Sequence, residues 1–174
     1  MSIKEIESAI RDIKDFPKKG IIFKDITPVL QSGKLFSEVI DIFYSQYKKN
    51  PPDYIVAIDS RGFLFGAALA YRFGCGIVPV RKKGKLPYKT IEESYDLEYG
   101  TATVEIHEDA LKKGDRVVLI DDLLATGGTA GAAIKLIEKL GAEIIGISFL
   151  VELEFLKGRN SIGKYSVNSL IFVP

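Results

Sequence analysis

The 174-residue chain contains one cysteine, Cys75, and one histidine, His107. A lone thiol excludes a disulfide framework and a cysteine-rich metal site. Cys75 stands between Gly74 and Gly76, ahead of an apolar segment, where a free thiol serves as packing. A lone imidazole argues against a His-based metal site and a Ser-His-Asp triad, although one histidine can still act singly. Charge of neither sign is in excess: 24 Lys and Arg balance 23 Asp and Glu, for a formal net charge of +1. That balance gives no general nucleic-acid or membrane surface. Every apolar run falls short of the roughly 20 residues that a membrane-crossing helix needs. The opening Met-Ser-Ile-Lys-Glu-Ile-Glu also lacks the apolar core of a signal peptide. A soluble, cytoplasmic protein is expected. There is no internal repeat, low-complexity tract or dividing linker, so residues 1–174 are expected to form one domain. With 47% hydrophobic residues the chain is long enough to bury a core.

Periodicity supplies the elements. Ile3, Ile6, Ile10 and Ile13 recur at helical spacing, which predicts an amphipathic helix over 3–14. A turn at 16–20 leads to a short apolar run at 21–23. Further helices are predicted at 34–48, 62–73 and 128–140, and strands at 54–58, 76–80, 101–106, 117–120, 143–151 and 166–173. Strands alternating with helices predict an α/β fold, with a mostly parallel central sheet flanked by helices. In such sheets ligands gather at the carboxyl ends of the strands. Three of those ends carry chemistry.

After Val117, Val118, Leu119 and Ile120, a run apolar enough for a buried parallel strand, come Asp121 and Asp122, then Ala125, Thr126, Gly127, Gly128 and Thr129 ahead of a helix. Glycines let the backbone approach a ligand closely, and amides at a helix start point outward as anion donors. The loop therefore suits a phosphate, with the Thr126 and Thr129 hydroxyls adding donors. Adjacent carboxylates suit the paired hydroxyls of a ribose or a divalent metal riding on it. No Lys-Ser/Thr pair closes the loop, which sets it apart from the P-loop. The strand at 54–58 ends in Asp59, Ser60, Arg61 and Gly62, a hydroxyl, a guanidinium and helix-start amides. The strand at 76–80 ends in Arg81, Lys82, Lys83, Gly84 and Lys85. Taken singly, the two aspartates also read as caps, Arg61 as a loop cation and the basic run as a solvated turn. Together they fit a ligand with phosphate at one end and diphosphate at the other.

The 117–129 stretch resembles the signature of the type I phosphoribosyltransferases. There the two acids hold the ribose hydroxyls of 5-phosphoribosyl 1-diphosphate (PRPP), and the loop wraps its 5′-phosphate. Residues 20–30, 60–66, 80–87, 95–100 and 150–153 further resemble, in order along nearly the whole chain, the adenine phosphoribosyltransferase family. The resemblance implies the fold of that family, with a small N-terminal hood over about 1–33 and a flexible flap hairpin over about 86–106. It implies a purine salvage transferase that makes AMP and pyrophosphate from adenine and PRPP with Mg²⁺, the metal being held through PRPP oxygens and water and by no residue directly. Asp121, Asp122, Ala125, Thr126, Gly127, Gly128 and Thr129 would bind the ribose and its phosphate. Ser60, Arg61, Arg81, Lys82 and Lys85 would bind pyrophosphate, with a cis peptide near Asp59-Ser60. Phe23 and Leu153 would face the adenine ring, and the main chain at Ile22 and Lys24 would read its edge. Lys24 replaces an arginine common in the family. Glu98 would handle the purine proton, Tyr99 would cover the reaction centre, and Arg61 would join them in catalysis. A homodimer is implied; nucleic acid and membrane are not. A sensor with this fold but no catalysis, or an enzyme for a 6-oxo purine or orotate, shares the 117–129 stretch. Retention of Glu98 argues against the first, and the 20–30 block against the second.

Overall fold

The computed structural model describes residues 3–97 and 100–174, in two compact units, residues 1–46 and 47–174. The first opens with helix α1 (Ile3–Ala9), then pairs strands β1 (Arg11–Lys14) and β2 (Ile22–Asp25) antiparallel, and continues through α2 (Thr27–Gln31) and α3 (Gly33–Tyr47). The predicted helix over 3–14 is thus half right. Of its four spaced isoleucines Ile6 is fully buried, while Ile3 and Ile13 are exposed, so no continuous apolar stripe holds the second half helical. Cross-strand pairing takes over instead: Arg11 bridges Asp25 at 2.7 Å, and Lys24 bridges Asp12 at 2.6 Å.

The second unit is an α/β layer structure around a seven-stranded sheet in the order β5-β6-β4-β3-β7-β8-β9. Its strands are β3 (Tyr54–Ile58), β4 (Gly76–Lys82), β5 (Thr90–Asp96), β6 (Thr101–His107), β7 (Arg116–Leu124), β8 (Glu143–Leu153) and β9 (Val167–Val173). From β4 to β9 neighbouring strands run parallel, and the β5–β6 hairpin joins antiparallel at the β4 edge. Helix α4 (Gly62–Phe73) links β3 to β4, and α5 (Gly128–Lys139) links β7 to β8.

Strand alternation sends side chains to both faces. Val56, Ile58, Val117 and Leu119 join the core cluster under α5, formed with Ala130, Ala133, Ile134 and Ile137. On the other face Gly66 of α4 rides so close to Ala57, Ile77 and Ile120 that a Cβ there would overlap them. Burying each such Val, Ile or Leu contributes about 1.5–3 kcal/mol. Within the stretch expected as a flap hairpin, Ile91 and Tyr95 of β5 pack against the core. The connection after β3 leads to β4 on one side and the one after β7 to β8 on the other. The topological switch point, where α/β sheets open a crevice, therefore falls between β3 and β7.

Candidate active site

At that switch point a cleft of about 540 Å³ is lined by Ile58, Asp59, Ser60, Arg61, Asp121, Asp122, Leu123, Ala125 and Thr129. Strand β7 runs to Leu124, further than its apolar run suggests, so both aspartates sit within it. The peptide between Asp59 and Ser60 is cis, as the resemblance implies. Gly62 opens α4 directly against Asp121; a Cβ would stand 2.8 Å from Asp121 Oδ1 and 3.1 Å from the Ile120 carbonyl. The two strand ends are thereby pressed together, and side chains from both meet. Arg61 Nε lies 2.7 Å from Asp122 Oδ2, and Asp121 Oδ1 accepts the Asp122 amide at 2.8 Å.

Burial pushes the Asp121 carboxyl well above its usual range, the neighbouring Asp122 charge adds to this, and Arg61 opposes it. Asp122 is raised by the same loss of solvent, with the Arg61 guanidinium pulling it back down. Both carboxylates feel the Arg61 guanidinium, and adjacent carboxylates of this kind suit hydroxyl donors.

Beyond the aspartates a smaller recess of about 80 Å³ is lined by Asp121, Leu123, Leu124 and residues 125–130. Gly127 turns the chain with φ of +81°, and its carbonyl accepts the Gly131 amide at 2.8 Å. The start of α5 lines the recess, and the opening amides of a helix, which lack carbonyl partners within it, suit an anion. The loop is held from behind by residues the sequence did not mark. Gly158 packs on the Ala125 carbonyl and beside Gly127, and Ser161 Oγ donates to the Thr126 carbonyl at 3.1 Å. From β5, the Tyr95 ring covers Gly128, and its hydroxyl accepts from Thr129 Oγ1 at 2.8 Å.

The segment carrying Gly158 and Ser161 is itself anchored. Arg159 donates to both oxygens of buried Glu152, at 2.6 and 2.8 Å, and Ser169 Oγ donates to the same carboxylate. These bonds, Arg159's first, hold the Glu152 carboxyl below its usual range. A depressed carboxyl contributes stability that is present above its unfolded pKa and is lost as pH falls through the folded value. Arg159→Met is expected to lower stability by about 1–3 kcal/mol at pH 7, the exposed half of Arg159 keeping the figure modest. The gap to the parent should shrink below about pH 4 in thermal melts; an equal gap at all pH values would count against the pair.

Arg81 reaches the cleft rim by donating from Nε to Asp59 Oδ2 at 2.9 Å, and from a terminal nitrogen to the Lys85 carbonyl at 3.3 Å. Lys82 ends β4 and Lys85 follows on the turn after it, both exposed. Leu153 closes β8, partly buried. In the first unit Ile22 is exposed, Phe23 meets Phe16 edge-on at 5.2 Å, and Lys24 pairs with Asp12. Glu98 and Tyr99 lie outside the described residues. Arg159 and Ser161 went unmarked, and Asp59, Tyr95 and Glu152 were met only as members of longer segments, because their roles come from contacts that the fold brings together. The run of tyrosines at 88–99 was the one available hint for Tyr95.

A family model of the phosphoribosyl transferase domain matches residues 25–171. An adenine phosphoribosyltransferase of Brachyspira hyodysenteriae is 58% identical over 167 residues, covering 96% of this chain and 98% of its own. The crystal structure of adenine phosphoribosyltransferase from Thermoanaerobacter pseudethanolicus superposes with a TM-score of 0.95 at 53% identity, covering 99% of this chain and 100% of its own. The Saccharomyces cerevisiae enzyme, complexed with adenine and an imino-altritol bisphosphate, gives a TM-score of 0.92 at 41% identity over 97% of each chain.

Proposed function

The chain belongs to the phosphoribosyl transferase family, and from that membership we propose that it makes AMP and pyrophosphate from adenine and PRPP, a purine salvage reaction. The observation that carries the reading is the meeting of Asp121, Asp122 and the 125–129 loop with Ser60 and Arg61 around one cleft. Asp121 and Asp122 accept hydrogen bonds from the ribose hydroxyls. The amides of 126–129 and the threonine hydroxyls hold the 5′-phosphate. The sugar is thus fixed at two points, with C1 turned toward Ser60 and Arg61.

Diphosphate departs from C1, leaving an oxocarbenium-like carbon, and the purine N9 attacks the opposite face. Arg61, Lys82 and Lys85, with Ser60 and Arg81, take up the charge of the leaving group. The carboxylate oxygens of Asp121 and Asp122 fit a hard cation, and Mg²⁺, carried on PRPP oxygens and water, would neutralise part of that charge. Adenine recognition is assigned to Phe23, Leu153 and the main chain of Ile22 and Lys24. A main-chain donor and acceptor separate a 6-amino from a 6-oxo purine, since the wrong partner leaves a buried group unpaired at about 1–3 kcal/mol. Glu98 is assigned the purine proton and Tyr99 the cover of the reaction centre.

PRPP is a multiply charged metabolite made inside cells, so the activity belongs in the cytoplasm. The reading also includes a homodimer. On α4, Leu64 (47% exposed) and Tyr71 (90% exposed) share a stripe with Ala67 and Ala68, an apolar face for a second copy. The test offers adenine, hypoxanthine and guanine separately with Mg²⁺ and PRPP and measures the nucleotide formed. AMP from adenine alone is expected, and Glu98→Gln should slow it about 100-fold or more. Product from a 6-oxo purine only would overturn the base assignment.

A further inference from the structure

Glu105 belongs to no part of the reaction described so far, yet it is one of the most deeply buried charged side chains, 3% exposed. It sits on β6 directly across from Arg81 on β4. Its Oε1 accepts two main-chain amides, Lys85 N at 2.9 Å and Leu86 N at 2.8 Å, and its Oε2 faces Thr90 Oγ1 at 3.4 Å. Burial alone would raise this carboxyl, but the amides of Leu86, Gly84 and Lys85 and the Thr90 hydroxyl together bring it below its usual range. The turn it grips, with Gly84 at φ of +82°, is the turn that presents Lys82 and Lys85. Without the grip that turn rests on Lys83 N to the Thr103 carbonyl at 3.0 Å, Lys85 N to the Lys82 carbonyl at 3.2 Å, the Arg81 guanidinium on the Lys85 carbonyl at 3.3 Å and the exposed Lys83–Glu92 pair. Burying a carboxylate for no more than a turn is an uneconomical use of charge. A neutral side chain cannot replace it fully, because several donors converge on its two oxygens and a carboxylate is all acceptor.

We propose that Glu105 is a positioning residue for phosphoribosyl transfer. Its buried carboxylate fixes the main chain of Lys85 and Leu86, so that the cationic turn is preorganised for pyrophosphate, and through Thr90 it ties that turn to the β5–β6 hairpin. The inference rests on the assignment of Lys82 and Lys85 to pyrophosphate. Preorganised donors bind an anion without first losing conformational freedom, so loosening the turn should weaken pyrophosphate and spare the nucleotide.

The reverse reaction separates the two. In full-length Glu105→Ala, the KM for pyrophosphate is expected to rise about tenfold or more, the equivalent of one lost charge-assisted hydrogen bond. The KM for AMP should stay within about twofold, since AMP does not touch the turn. Glu105→Gln, which keeps a carbonyl acceptor, should fall between parent and alanine. Amide exchange at Lys85 and Leu86, read by NMR, should quicken in the same order. A merely structural residue would lower the melting temperature without moving the pyrophosphate KM selectively. A folded Glu105→Ala with the parent's pyrophosphate KM would overturn the proposal. If the alanine variant does not fold, Glu105→Gln decides: faster exchange at both amides with a raised pyrophosphate KM supports the grip, and parental values for both overturn it. A parent protein that uses no pyrophosphate at all removes the functional reading itself, and is seen before any variant is made.

Discussion

Asp121→Asn is expected to stabilise the free protein while removing most of its transferase activity. The parent holds this carboxyl beside a second one; loss of solvent pushes both above the usual range, and at Asp121 the neighbouring Asp122 charge adds to it. A group whose folded pKa is raised contributes stability that is present below its unfolded pKa and is lost as pH rises through the folded value. At neutral pH the raised carboxyl therefore lowers the parent's stability, a cost asparagine avoids, and the variant keeps the Oδ1 acceptor that the Asp122 amide uses at 2.8 Å. A gain on the order of 1 kcal/mol is expected, the scale common when a strained functional site is relieved. The difference in melting temperature between variant and parent should be largest near pH 7–8 and vanish as acid protonates Asp121. Activity should fall about 10- to 100-fold, since a charge-assisted bond to a ribose hydroxyl is worth about 1.5–3 kcal/mol. A variant that is less stable than the parent at neutral pH would contradict this account of the pair.

The second large effect is expected at Gly127. Its φ of +81° is one that side-chain-bearing residues rarely adopt, and a Cβ there would strike the Gly158 carbonyl and stand 2.9 Å from Ser161 Cβ. The left-handed conformation costs an L-residue about 1–2 kcal/mol, and overpacking adds about 1–3 kcal/mol. Because the obstacle is backbone on one side and an anchored segment on the other, the loop itself must move. A displacement of about 1 Å at a substrate-holding group costs about 100-fold in rate. Gly127→Ala should accordingly lose about 2–5 kcal/mol of stability and at least that 100-fold in turnover. Gly163→Ala is the matched control: it has φ of +71° with open space around it. It should show the backbone cost alone, with turnover intact. Equal losses of turnover at the two glycines would show that the contact with Gly158 is irrelevant.

What could be read from the sequence follows from where each signal lies along the chain. Strand, carboxylates, glycine turn and helix start are contiguous from 117 to 129, so one local pattern carries both the geometry and the chemistry. The same holds for 54–62, whose strand delivers Ser60 and Arg61 to a helix start. The N-terminal helix was overextended because Ile10 and Ile13 keep the helical period without being buried by it. The competing ion pairs Arg11–Asp25 and Lys24–Asp12 link residues more than ten positions apart. Glu105 was invisible for a related reason: in an alternating strand it reads as a solvent-facing charge, and its amide donors are about twenty residues away. Glu152 and Arg159 are close in sequence, but the burial that gives their pair its meaning comes from the sheet.

The most direct test of the central claim follows phosphorus. PRPP and Mg²⁺ are mixed with the parent protein, and ³¹P NMR spectra are recorded before and after adenine is added. The account predicts a stable PRPP spectrum until adenine arrives, then loss of the diphosphate signals with equal growth of free pyrophosphate and of the AMP monophosphate. PRPP that remains intact with adenine present, or that decays at the same rate without it, would contradict transfer at this cleft.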